Sequence, residues 1–219
     1  MLTLEDIKQD PVVHTFVRRG NQYLGEMGFT EHGTRHLNVV SSRIQHIMQT
    51  LGYSPREVEV AKIAAYLHDI GNVINRVGHS QSSALLSVKI LGDLGMPLEE
   101  IAVIAAAVGN HDEGSGTSVN PVAAALILAD KSDVHRSRVR NRDLANFDIH
   151  DRVNYAVEKS ALYVDKNEQT ITMELDIDIS ICPVMEYFEI FLGRMTLCRR
   201  AADFLKAQFR LLINDARLI

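Results

Sequence analysis

The amino-acid sequence predicts a mainly α-helical protein that ends in a small β-hairpin and a long C-terminal helix. Three observations carry this expectation. Before about Asp143, apolar residues recur at helical spacing in segments that open on capping residues. The later segment TITMELDIDIS alternates apolar and polar residues, and the stretch from Pro183 onward carries a single long apolar stripe.

The first clear helix is expected after Thr30, a good N-cap residue, and runs through RHLNVVSSRIQHIMQTL to Gly52. Ser54-Pro55 opens the next. Serine caps, proline occupies the first helical position, and Glu57 stands where a capping box needs it. That helix continues through VEVAKIAAYLHD and should stop near Gly71, leaving His68 and Asp69 in its last turn, where free carbonyls and the helix dipole favour a cation. Further helices are predicted from Ser80 to Leu94, from Pro97 to about His111, and from Pro121 into the basic stretch RSRVRNR, with GSGTSVNP as a loop.

Beyond Asp143 the pattern changes. Ile171, Met173, Leu175, Ile177 and Ile179 share one face of a half-buried strand. ALYVD before it, turning at DKNE, completes a hairpin. The final helix places Val184, Tyr187, Phe188, Phe191, Leu192, Met195, Cys198, Ala202, Leu205, Phe209 and Leu212 on one stripe. Packing against the helical body is the plain reading of that stripe, and homodimerisation through the helix is the alternative. Two units follow: residues 1–145 as the main helical domain and 146–219 as a hairpin plus helix.

Bulk properties narrow the functional classes. At 219 residues, 46% hydrophobic and 23% charged, the chain reads as globular. A net charge of −5 advertises neither a nucleic-acid polymer nor a membrane surface as partner. Cys182 and Cys198 cannot make a disulfide framework, and MLTLEDIKQD has no apolar core of a secretory signal, so a cytoplasmic location is expected. No apolar run reaches the ~20 residues that span a bilayer.

The nine histidines are the unusual feature. A divalent metal wants imidazole nitrogens and carboxylate oxygens on stiff elements. The predicted helix ends offer such a set in His36, His68, Asp69, His79, His111 and Asp130. Any one of them alone would more often be a cap or a surface residue. The pair His68-Asp69 gains weight from its apolar helix, AAYLHDIGN, in which an unpaired aspartate would be costly to bury. His14, His46, His135 and His150 show no ligand spacing, and the two cysteines read as packing residues.

The ordered series H…HD…H…H…D, over roughly residues 30–142, resembles the HD superfamily of metal-dependent phosphohydrolases. The phrases HDIGN, GHSQSSALLSVKIL and NHDEGSG are similar to the HD-GYP phosphodiesterases, with their HDIGK, HPxxGAxIL and HHExxDGxGYP. LADKSDVHR resembles the ADKxxxxR stretch of HD-type dinucleoside-tetraphosphate hydrolases. The resemblance implies a helical HD domain with two divalent transition-metal ions, iron or manganese fitting best and zinc, cobalt or nickel remaining possible. It places His36, His68 and Asp130 on one metal, His79 and His111 on the second, and Asp69 between them, with the His68-Asp69 pair as the catalytic centre and a bridging water or hydroxide as nucleophile. The implied substrate is a small phosphate ester of a nucleotide or dinucleotide.

Several positions depart from the HD-GYP pattern. Asn72 stands for the lysine after HDxG, Asn110 for the first histidine of HHE, and the GYP tripeptide is missing. His32 occupies the place of the glutamate that trinuclear members carry four residues before the first histidine, one turn before His36 on the same helical face, where an auxiliary ligand role competes with a supporting or surface role. These changes argue against a third metal and against cyclic-di-GMP as substrate. Lys131, Arg136, Arg138 and Arg140 are candidates for phosphate capture, Arg136 foremost because it matches ADKxxxxR; a solvated basic helix face is the competing reading. Two other functions remain open: a di-iron oxygenase on the same fold, and a non-catalytic signalling module.

Overall fold

The computed structural model describes residues 1–141 and 143–218; Arg142, the last residue of the basic run, and Ile219 lie outside the described residues. Nine α-helices and four strands are found among the described residues. The helices are α1 (Leu4–Gln9), α2 (Pro11–Glu26), α3 (Thr34–Leu51), α4 (Pro55–Leu67), α5 (His79–Asp93), α6 (Leu98–Gly109), α7 (Pro121–Lys131), α8 (Ile149–Ala156) and α9 (Val184–Phe204). The strands are β1 (Val157–Asp165), β2 (Thr170–Ile177), β3 (Gln208–Ile213) and β4 (Ala216–Arg217).

The Ser54 capping box forms as the residue types require, with Ser54 accepting from Glu57 N and Glu57 accepting from Ser54 N. Asn120 caps α7 by accepting from Ala123 N at 2.7 Å, with Pro121 at the first helical position. α7 is the centre of the molecule. Every residue from Val122 to Lys131 is buried, and α3, α4, α6 and α9 pack around it. A helix that is apolar on all sides has to be enclosed, and the Pro183 helix supplies one wall: Tyr187, Phe191, Met195, Cys198 and Ala202 are buried on it.

Four boundaries differ from the sequence expectation. α3 starts at Thr34 rather than after Thr30; Gly33 is its N-cap and supplies no side-chain cap, while the Glu31 carboxylate fixes the approach by accepting from Gly33 N at 2.6 Å and from Arg35 Nε at 3.0 Å. His32 therefore precedes the helix and shares no helical face with His36. α4 ends at Leu67, and Ile70–Val73 forms a separate 3-10 turn. α7 stops at Lys131 and does not enter the basic stretch, of which Arg136–Arg138 makes a single 3-10 turn. α9 stops at Phe204, so Phe209 and Leu212 leave its stripe and lie in β3; Leu192 points outward, 59% exposed.

The last difference enlarges the hairpin into a sheet of order β1-β2-β3-β4. β1 and β2 pair antiparallel from Val157↔Ile177 to Asp165↔Thr170, around a turn in which Asp165 Oδ1 accepts from Asn167 N and Glu168 N. β3 then returns through α9 to pair parallel with β2, satisfying backbone groups that a lone hairpin would leave at its edge. Ile171, Met173, Leu175 and Ile177 are buried as the alternation predicts, whereas Ile179 lies beyond the strand and is exposed. No helix among the described residues is long and apolar enough to cross a membrane.

The turn after Asp69 is the tightest packing point near the buried histidines. A Cβ added at Gly71 would stand 2.4 Å from His79 O and 2.4 Å from Ser83 N, while one at Gly92 would meet nothing within 4 Å. Gly71→Ala is expected to destabilise the protein by about 1–3 kcal/mol through overpacking. Gly92→Ala, at an exposed position in α5, is expected to stabilise it by about 0.5–1 kcal/mol. Urea unfolding of both variants checks this, and equal effects would contradict it.

Candidate metal centre

Helix ends carry the chemistry. His36 lies in the first turn of α3, His68 caps the C-terminus of α4 with Asp69 following, His79 opens α5, His111 follows α6, and Asp130 sits in the last turn of α7. All six side chains are buried and converge. Asp130 Oδ1 is 3.3 Å from His36 Nε2 and 3.6 Å from His68 Nε2. Asp69 faces two ways: its Oδ2 lies 3.4 Å from His68 Nε2 and 3.7 Å from His36 Nε2, while its Oδ1 lies 3.4 Å from His79 Nε2 and 4.0 Å from His111 Nε2.

The second ring nitrogen of each histidine is already engaged. Nδ1 of His68, His79 and His111 each donates to the carbonyl three residues earlier, Ala65, Arg76 and Val108, at 2.7, 3.0 and 2.6 Å. His36 Nδ1 donates instead to Asp133 Oδ2 at 2.7 Å. With Nδ1 as donor, the inward Nε2 is the lone-pair nitrogen of the neutral ring, the form that ligates metals. Yet Nε2 atoms face each other at 3.3 Å (His36 and His68) and 3.2 Å (His79 and His111). Opposed lone pairs at such distances repel unless positive charge lies between them, which a proton on one ring or a divalent cation can supply. The donor atoms of His36, His68 and Asp130, and those of His68, Asp69 and His111, each fall within 4.8 Å of one another. These residues fit a metal site.

Electrostatics point the same way. Burial lowers the proton affinity of His79 and His111, keeping both imidazoles neutral. His68 is the exception: burial opposes its charged form, but Asp69 and Asp130 outweigh burial and push it up to about 10. Burial would raise both carboxylates, yet His68 holds Asp69, and Lys131 with His36 holds Asp130, well below the usual range. The two anions draw cationic charge inward. Asn72, in the place of the HD-GYP lysine, is spent on orienting Asp69, donating to its carbonyl and to Oδ1 at 2.9 Å each. Asn110 turns away to donate to Ala106 O.

Around the donors lies a small inner chamber of about 20 Å³, bordered by His32, Arg76, Lys131, Arg138 and Arg194. It adjoins an outer cavity of about 430 Å³, which shares His32, Arg76, Arg138 and Arg194 with it and extends to Phe29, Glu113, Asp148, Asp151 and Phe191. His32 is fixed at this boundary by Nδ1 donating to Thr30 O at 2.8 Å.

The basic run divides. Lys131 is buried at the chamber, 2.7 Å from Asp130 Oδ2. Arg138 borders the chamber, but its guanidinium donates to Glu31 O and Asp133 O. Arg140 likewise donates to Phe29 O and Asn21 O. Arg136 is not among the lining residues of chamber or cavity; it pairs with Glu158 at 2.8 Å and stacks on Tyr155. The expectation that Arg136 leads phosphate capture is therefore corrected, and so is the alternative of a solvated helix face, since residues 132–141 form no α-helix and two of the guanidinium groups tie down backbone carbonyls. Three residues at the centre escaped the sequence reading: Arg76, Arg194 and Asp133. Only Arg76 had a local signal, lying between the His68-Asp69 pair and His79.

Asp133 fixes His36 and is itself gripped by Arg35 at 2.7 Å. Outer partners of this type are worth about 10–100-fold in metal affinity. Asp133→Asn is expected to weaken metal binding by about that factor, measured by competition with a chromophoric chelator; unchanged affinity in the folded variant would refute the role.

The segment that carries these residues is similar to known proteins. The family model described as HD domain matches residues 35–152, more than half of the chain and inclusive of all six converging residues. An uncharacterized protein of Methanocaldococcus jannaschii is 27% identical over an alignment of 159 positions that covers 62% of this chain and 61% of that protein, so the chain spans under two thirds of its relative's length. A solved structure of a "predicted HD superfamily hydrolase" from an uncultured Thermotogales bacterium shares 23% identity, covering 56% of this chain and 67% of that one at a TM-score of 0.45. On the match across residues 35–152, this chain belongs to the HD-domain family.

Proposed function

We propose that the protein is a metal-dependent phosphohydrolase that holds two divalent transition-metal ions and cleaves a small-molecule phosphate ester of nucleotide type. The observation that carries this reading is the split of Asp69, whose two oxygens face different histidine pairs. His36, His68, Asp130 and Asp69 Oδ2 would hold one ion; His79, His111 and Asp69 Oδ1 would hold the other. When bound, such ions supply Lewis-acid neutralisation of the phosphate oxygens and lower the pKa of the attacking water. Iron or manganese suits the mixed imidazole and carboxylate set.

The chain's own groups do the remaining work. Asn72 and Asp133 hold Asp69 and His36 in register. Arg76, 3.9 Å from Asp69 Oδ1 and seated over the Phe29 ring, and Lys131 add positive potential at the chamber, where the ester's anionic oxygens would lie. The adjoining cavity has room for the alcohol or nucleoside portion.

Metal analysis of protein never exposed to chelator is expected to give about two ions per chain. Asp69→Ala should empty both positions, whereas His79→Ala should mainly weaken the second. One ion or none in the wild type would refute the dinuclear reading.

Cyclic-di-GMP is expected to be a poor substrate. Asn72 and Asn110 carry no cation for a phosphate, and both amides already have partners. A comparison of kcat/KM for cyclic-di-GMP, linear dinucleotides, dinucleoside polyphosphates and mononucleotides on iron- or manganese-loaded protein tests this. Cyclic-di-GMP leading by tenfold, about 1.4 kcal/mol in transition-state binding, would overturn it.

A further inference from the structure

α9 lies outside the residues matched to the HD domain, yet its Arg194 borders both the inner chamber and the outer cavity. The guanidinium stacks over Phe191, 4.1 Å from the ring centroid. Its Nε pairs with Glu113 Oε1, and the same oxygen lies 3.5 Å from Lys131 Nζ. Lys131 is paired on its other side with Asp130, one of the metal-donor carboxylates. A single carboxylate oxygen is thus shared by two cations at the edge of the metal centre. Glu113 belongs to the loop between α6 and α7, and its side chain is one third exposed.

We propose that Arg194 and Lys131 form a phosphoryl subsite, and that Glu113 is an internal counterion which the phosphoryl group of a phosphate monoester displaces. The proposal rests on the phosphohydrolase reading for its ligand class. Two cations meeting on one oxygen beside the metal donors is how a non-bridging phosphate oxygen would be held. A phosphate dianion offers more charge and more oxygens than a carboxylate, and guanidinium suits it well. Glu113 stands on a loop rather than in the core, so it can leave toward solvent when the phosphate arrives. In its absence it neutralises a chamber edge that otherwise gathers Arg76, Lys131, Arg138 and Arg194. Arg194 also makes the C-terminal unit a part of the site.

The test is isothermal titration of inorganic phosphate into metal-loaded wild type, Arg194→Ala, Arg194→Lys and Glu113→Gln, with metal content measured alongside. Arg194→Ala should weaken phosphate binding by roughly tenfold or more, the value of a charge-assisted contact, with Arg194→Lys intermediate. Glu113→Gln, which removes the competitor, should tighten binding, and the gain should shrink in the double variant with Arg194→Ala. Metal content should stay the same throughout. Wild-type affinity in Arg194→Ala, weaker binding in Glu113→Gln, or no phosphate binding by the wild type would each overturn the subsite. Turnover of phosphate esters with an unchanged KM in Arg194→Ala would overturn the subsite and leave the phosphohydrolase reading intact. Arg194-dependent phosphate binding without turnover of any ester would do the reverse.

Discussion

Two carboxylates, Asp69 and Asp130, are buried among four imidazoles, and the structure is arranged around the cost of placing them there. Taking a carboxylate out of water costs on the order of several kcal/mol even after relaxation, unless charge and hydrogen bonds compensate. The compensation comes from helix ends. At two of them the free carbonyls of the last turn pin the Nδ1 side of His68 and His111, and the loop carbonyl of Arg76 does the same for His79, which turns each Nε2 inward toward the aspartates. The same geometry that solves the solvation problem of the carboxylates creates the donor set of a metal centre.

A second tier of charge keeps that set in place. Asp133 is bonded to His36 and Arg35 and faces Arg138, which together hold its pKa far below the usual carboxylate range despite burial. Arg138 and Arg140 extend the network to the backbone carbonyls of residues 21, 29 and 31, so the segment before α3 is strapped to the segment after α7. This is why the basic run is folded inward instead of forming a solvated helix. Its cationic charge stays close to the centre, while most of its hydrogen-bonding capacity is spent on the chain itself.

The C-terminal sheet and α9 meet the other helices along α7, whose all-round apolar surface needs a cover that α3, α4 and α6 do not complete. α9 provides it with Tyr187, Phe191, Met195 and Cys198, and the sheet carries the ends of the helix. Arg43 of α3 fastens β1 by donating to Ser160 O and to Ser132 Oγ, just beyond α7. Packing of this wall against α7 is what brings Arg194 to the edge of the centre.

Local rules were enough to read several elements from the sequence. The Ser54-Pro55 start of α4, the buried alternation of β2 and the helix nature of α3, α5, α6 and α7 follow from caps and periodicities within a few residues of one another. The six residues that converge at the centre could be picked out through the ordered series H…HD…H…H…D and its resemblance to the HD superfamily, together with their expected places at helix ends. Tertiary structure decided what depended on partners far along the chain. The docking of Arg138 and Arg140 on carbonyls more than 100 residues earlier leaves no local signal, and the conversion of 208–213 to a strand depends on the open edge of β2. The replacement of Arg136 by Arg76 and Arg194 at the chamber was equally invisible, since charges that pair across the fold leave no spacing in the sequence. Periodicity records which face of an element is buried; only the packed elements determine which charges end up facing the same small volume.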